Sequence, residues 1–157
     1  MIQNGGFEQG VDPWQESSAG GYELVDPSNP HSGQYSAYLC GYSSCSDSIA
    51  QDFVAPNSAS NITLTYWWYG ATTLTAQTCR DNFTVTLSDS NGNVIATVQK
   101  ACNTDATQSW QQVSFDVTNA LSNYAGQTVT LSFNGTTSSS SSVTSSFYVD
   151  DVAVNAS

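Results

Sequence analysis

The feature that most constrains this chain is an alternation of period two. Phe83, Val85 and Leu87 alternate with Asn82, Thr84 and Thr86; Val113, Phe115 and Val117 with Gln112, Ser114 and Asp116; Val129, Leu131 and Phe133 with Thr128, Thr130 and Ser132. Successive side chains of a β-strand point to opposite faces, so each run reads as a strand with its apolar set in a core. Leu, Glu, Lys and Arg are sparse, while Val, Thr and Tyr recur in short runs broken by Gly, Asn, Pro and Ser. Strands are read at 22–25, 35–39, 47–54, 61–69, 82–88, 94–100, 110–117, 127–133 and 146–154, with a short one about Phe7. That spacing predicts an all-β chain, a jelly-roll β-sandwich of two antiparallel sheets. At 157 residues, one domain covering 1–157 is expected.

Turn chemistry then places the cysteines. Asn91-Gly92, between the runs at 82–88 and 94–100, is a strong hairpin signal because both residue types accept positive φ. Reflecting the chain about that turn brings Cys79 beside Cys102, which leaves Cys40 and Cys45 to close CGYSSC as a small loop. An even set of four cysteines without CxxC spacing is expected to form disulfides and so implies a secreted, extracellular protein. One helical turn is expected in SNYAGQT, ending at Gly126, and TTSSSSSVTSS, 136–146, reads as a long connection within the domain.

Charge removes several function classes. Lys and Arg number two, Asp and Glu thirteen, and the formal net charge is -11. Such a surface repels phosphate, which excludes nucleic acid and anionic membranes as expected partners. No run is apolar enough for a membrane helix, and MIQNGGFEQG lacks the basic and apolar regions of a signal peptide; Met1 is read as an added start or the edge of an excised fragment. A monomer is expected.

Catalysis finds little support. The one histidine, His31, lies in a Pro- and Gly-marked loop, and HExxH, GxSxG and Walker motifs are absent. Serine is so abundant that a Ser-His-Asp match carries no information. The carboxylate pair Asp150 and Asp151 is adjacent on a strand and is expected to point to opposite faces, not across a sugar. The chain is therefore read as a non-enzyme. Oxygen ligands favour calcium over other metals. Glu8, after two glycines, and Asp150, on the last strand, are candidates, with capping of both acids by backbone amides as the alternative.

TYWWYG, 65–70, places four aromatics in a row. Ile62, Leu64, Tyr66 and Trp68 continue the apolar alternation, which leaves Trp67 and Tyr69 on the outer face. Displayed rings form a platform for the C–H faces of sugars, with neighbouring amides and hydroxyls to bond their oxygens. The alternative is that a loop, either CGYSSC with Tyr42 or the Ser-rich segment, covers them as a second small core.

NGGFEQG with Trp14, HSGQYSAYL, DSIAQ, LTYWWYG, DNFTVTLSDSNGNVI, YAGQTVTLSF and FYVDDVAV, in this order, resemble the galactose-binding-like jelly roll over nearly the whole chain. Within it they resemble carbohydrate-binding modules of the family 4, 16 and 22 type and C-terminal accessory domains of secreted bacterial proteases. The resemblance implies a structural calcium ion held by Glu8, the backbone about Ser32 and Gly33, and Asp150. It implies a module that carries an attached catalytic domain to a neutral polysaccharide or cell-surface glycan, with Trp67, Tyr69, Trp14 and Tyr42 as candidate glycan contacts. The competing implication is a purely structural accessory domain without a ligand.

Overall fold

The computed structural model describes residues 1–140 and 142–157. Ser141, inside the expected Ser-rich connection, lies outside the described residues. The strands are β1 (Gln15–Ser18), β2 (Val25–Asp26), β3 (Ser36–Cys40), β4 (Ser46–Val54), β5 (Ile62–Thr72), β6 (Asn82–Ser88), β7 (Val94–Cys102), β8 (Trp110–Asp116), β9 (Thr128–Thr136) and β10 (Ser145–Ala156). They form two five-stranded sheets in the orders β1-β4-β9-β6-β7 and β2-β3-β10-β5-β8, and every pairing is antiparallel.

The inward faces meet as the alternation requires. Ile49, Val85, Leu131 and Phe133 of the first sheet oppose Leu39, Leu64, Tyr66, Trp68, Phe147 and Val149 of the second, all buried. Phe83 stacks against Trp68 at 5.6 Å and against Phe147 at 5.4 Å. Tyr66, fully buried, donates its hydroxyl to Gln99 Oε1 at 2.6 Å, which satisfies the one polar atom that its burial would otherwise strand. Burial raises its phenol above the ordinary range.

Three local expectations are corrected. Phe7 is not in a strand; it sits in a turn with φ 59° and is wholly buried. The first strand is instead β1, whose sequence QESS has no apolar face to reveal it. Phe115 and Val113 face inward in register with Leu64 and Tyr66, yet Phe115 is 36% exposed, because β8 is an edge strand and its inward side lies at the rim. The helical turn lies slightly earlier than expected, at α1 (Thr118–Ser122), and Gly126 follows at positive φ in the succeeding turn.

The β6–β7 hairpin has the expected register, Asn82 opposite Cys102. Of the turn pair only Gly92 takes positive φ, while Asp89 Oδ1 accepts the amides of Asn91 and Asn93. Both expected disulfides are formed, Cys79–Cys102 and Cys40–Cys45.

Candidate ligand-binding face

The outward side of the second sheet carries a rank of four aromatic residues. Tyr38 on β3 lies opposite Tyr148 on β10, Tyr148 opposite Tyr69 on β5, and Tyr69 opposite Trp110 on β8. Their ring centroids are spaced 4.4, 5.6 and 5.6 Å along the rank. All four are partly exposed. Local alternation sets this: Leu39, Phe147, Val149 and Trp68 point into the core, so their neighbours must point out. Burial and the neighbouring Tyr38 push the Tyr148 phenol above its usual range, so this part of the rank stays uncharged.

Trp67 stands beside the rank, opposite Asp150 and Gln112. One face of its indole is covered by the His31 imidazole, stacked at 4.1 Å and 17°, and His31 also meets Trp110 edge-on at 5.5 Å. His31 Nδ1 is 2.7 Å from Asp151 Oδ2, which fixes the ring in place. The cover over TYWWYG thus comes from the loop between β2 and β3. CGYSSC and the Ser-rich connection instead bond to each other, through Cys45 N to Thr137 Oγ1 and Thr137 Oγ1 to Tyr42 O.

At its Tyr38 end the rank runs into a cleft of about 220 Å³ lined by Tyr22, Glu23, Asp26, Tyr38, Tyr42 and Asp47 among others. Tyr22 is 59% exposed, and its ring lies 5.1 Å from that of Tyr42. Tyr42 donates its hydroxyl to Asp47 Oδ1 at 2.5 Å, and Asp47 Oδ2 accepts the Cys40 amide at 2.9 Å. Burial and then this carboxylate hold the Tyr42 phenol protonated. The short disulfide loop therefore fixes one wall of the cleft.

Trp14 does not belong to this face. It is buried at 3% exposure between Phe7 and Phe133, and its indole N–H donates to Asn4 O at 2.9 Å. A tryptophan beside a Gly-rich segment looks displayed in the sequence, but the turn at Phe7 folds over it. Tyr38, Tyr148 and Trp110, on the other hand, escaped the sequence reading. Their outward direction is visible in YSAYLC and FYVDD, but their alignment across four strands depends on a strand order that the chain does not spell out.

The expected calcium residues converge on one loop. Glu8 accepts the amides of Gln34 and Tyr35 at 2.9 to 3.1 Å. Asp150, fully buried, accepts those of His31, Ser32 and Asp151 at 2.8 to 3.2 Å. Gly33 sits between them at φ 62°, where a Cβ would strike the Glu8 carboxylate. The last strand is bulged between Asp150 and Ala153, with Asp151 at φ 52°. This bulge overturns the expectation that the adjacent acids point apart: Asp151 also reaches the loop, accepting from Ser32 Oγ. The first segment runs alongside, with the Val152 amide donating to Gly5 O. Tested as a cation site, the set supplies carboxylates, but backbone amides already engage the oxygens of Glu8 and Asp150. Burial lifts the Asp150 carboxyl to about 6 against the lowering effect of those amides. Among the described residues the one cluster of three close metal-type side chains is Cys40, Cys45 and Asp47, and two of these are joined in a disulfide.

No protein-family model and no curated protein matches the sequence. Solved structures match the fold. A family 61 carbohydrate-binding module in complex with β-1,4-galactotriose is similar at TM-score 0.67 and 17% identity, over 99% of this chain and 97% of that one. A family 28 module specific for non-crystalline cellulose gives 0.58 and 15%, over 99% and 95%. The second family 22 xylan-binding domain of Paenibacillus barcinonensis Xyn10C gives 0.58 and 16%, over 98% of each chain. The fold is that of these β-sandwich modules.

Proposed function

We propose that this domain is a non-catalytic carbohydrate-binding module that acts outside the cell and holds an attached enzyme on a glycan surface. The observation that carries the reading is the aromatic rank Tyr38–Tyr148–Tyr69–Trp110 on the outside of the second sheet. Folding needs no rings there, since the opposite sides of the same strands already supply the core. Rings held on rigid strands lose little entropy when a ligand settles on them, and partly exposed aromatics present the apolar surface that sugar C–H faces match. That similar folds bind galactotriose, cellulose or xylan supports the ligand class. Two disulfides suit an oxidising compartment, and a monomer suffices for this face.

Affinity electrophoresis through gels containing galactan, hydroxyethylcellulose or xylan tests the reading. The domain should be retarded in at least one, and Tyr69→Ala should run free in that gel with an unchanged melt. Unretarded migration in all three would remove it. The second reading, a structural accessory domain, has its own observation: His31 covers one face of Trp67. Under that reading no gel retards the domain, and Trp67→Ala destabilises it as a core substitution would.

Calcium is a separate proposal. An ion held by Glu8 and Asp150 would have to displace amide donors from their carboxylates, and by binding only the folded state it would stabilise it. Excess chelator should then lower the melting temperature, and elemental analysis should find the metal. An unchanged melt leaves the amide clamp as the whole explanation of these residues.

A further inference from the structure

The rank has a direction as well as a composition. Its four residues sit on four neighbouring strands, so its axis runs at right angles to them, stepping about 4.8 Å per strand. That step is comparable to the advance of one pyranose unit along an extended chain. At the Tyr38 end the row does not stop, because Tyr38 is also a wall of the cleft that holds Tyr22 and Tyr42. The cleft adds hydroxyls and the carboxylates of Glu23 and Asp26, while the buried Asp47 beneath them accepts from the Tyr42 hydroxyl and the Cys40 amide. Asp151 lies beyond Trp67 on the other flank, bonded to His31. His31 answers Asp151, but no lysine or arginine lines the cleft; Lys100, on β7 of the other sheet, lies past the β8 edge in a groove with Gln111 and Gln112, and Arg80 precedes β6.

Resting on the carbohydrate-binding reading, we propose that the ligand is an extended glycan chain free of carboxylate and sulfate groups, crossing β8, β5, β10 and β3 along Trp110, Tyr69, Tyr148 and Tyr38 and ending in the acid-lined cleft at Tyr22 and Tyr42. Tyr69 stands at 89° to Tyr148 and 61° to Trp110, so the row offers ring edges as well as faces to the sugar C–H groups, and Glu23 and Asp26 accept hydroxyl hydrogens from the unit in the cleft. A uronate or sulfated chain would bring its charge against the cleft acids, where no lysine or arginine offsets it, on a chain of net charge -11, and a single sugar would cover only part of the row.

Calorimetric titration of the intact domain with galacto-, cello- and xylo-oligosaccharides, from disaccharide to hexasaccharide, tests this directly. In the responsive series affinity should rise through the tetrasaccharide and then level off. Trp110→Ala should weaken hexasaccharide binding by roughly tenfold or more, as loss of a large aromatic contact does. Tyr38→Ala should weaken the hexasaccharide while leaving the disaccharide nearly unchanged, and Tyr38→Phe should retain the affinity. Gels of polygalacturonate should not retard the domain, and added salt should not weaken binding to the neutral polymer. Retardation by a neutral gel combined with length-independent affinity, or with Tyr38→Ala and Trp110→Ala binding normally, overturns the chain path while leaving the carbohydrate-binding reading intact. Retardation by polygalacturonate overturns the charge argument. Failure of every gel and every oligosaccharide removes both.

Discussion

The outer faces of the two sheets differ in kind although the same alternation builds both. On the first sheet the outward ranks are Ser48–Asn134–Thr84, Ala50–Ser132–Thr86 and Asp52–Thr130–Ser88, small side chains throughout and polar except for Ala50. Some of their polar groups bond to one another, Thr130 Oγ1 to Asp52 at 2.6 Å and Ser132 Oγ to Asn134 at 3.2 Å. On the second sheet the corresponding position across four strands is aromatic. Threonine and tyrosine serve a pleated strand about equally well. The first sheet therefore demonstrates what folding requires of an outer face, and the rings of the second exceed it.

The largest effect should come from crossing the plane of β5. Trp68 is 6% exposed and stacks nearly parallel on Phe83, so Trp68→Ala should cost about 3–5 kcal/mol in denaturant unfolding. Trp67, one position earlier, touches no core ring and should lose about 1 kcal/mol or less. Equal losses would mean that the outer face is a second core, and the contrast between the sheets would collapse.

The disulfides divide along the same line. Cys79–Cys102 closes a hairpin of the first sheet with a sequence separation of 23, and replacing both cysteines by serine should cost about 2–4 kcal/mol. Glycan binding on the second sheet should survive this change. Cys40–Cys45 spans only five residues, so its removal should cost less stability, yet it should loosen the cleft wall at Tyr42 and weaken binding. Matching losses of binding in the two variants would show that the bonds act through general stability alone.

What the chain made legible follows from what is local. Period-two runs located the core strands, and the Asn91-Gly92 turn was enough to pair four cysteines. Which face of β5 points out was equally readable from Tyr66 and Trp68. The bulge at Asp151 was not, because a single residue in positive φ reverses the direction that alternation assigns, and nothing in FYVDDVAV marks it. Trp14 misled for a related reason: its burial depends on the fold of the turn at Phe7, seven residues away. The four-residue rank was hidden because β3, β10, β5 and β8 are neighbours in space but far apart in sequence.

Asp150 supplies an effect of intermediate size whose sign separates two accounts of the loop above Trp67. Its folded pKa is raised to about 6 from 3.8, because burial outweighs the amides of Ser32, Asp151 and His31. A carboxyl raised on folding binds its proton more tightly in the folded state, so its contribution is fully present below pH 3.8 and is lost as the pH rises through about 6. Relative to Asp150→Asn, the native protein should thus gain roughly 2–3 kcal/mol between pH 7 and pH 4 at 1.36 kcal/mol per unit. A bound calcium ion requires the ionised carboxylate and reverses the trend, making stability greatest near pH 7 and sensitive to chelator. Melts of both proteins across this range, with and without chelator, decide between them.

The smallest expected effect is the most direct check on the comparison. Thr86 and Ser132 lie side by side on the outer face of the first sheet, in the middle one of its ranks of small residues. Thr86→Ala removes a hydroxyl and a methyl and Ser132→Ala a hydroxyl, neither from the core nor from a buried partner, so each should change stability by no more than about 0.5 kcal/mol. Retardation in the responsive polysaccharide gel should be unaltered, since hydroxyls on a flat face without a stacking ring offer a sugar little more than water does. Loss of retardation in these variants, with Tyr69→Ala unaffected, would move the glycan to the first sheet and leave the aromatic rank as packing for a neighbouring domain.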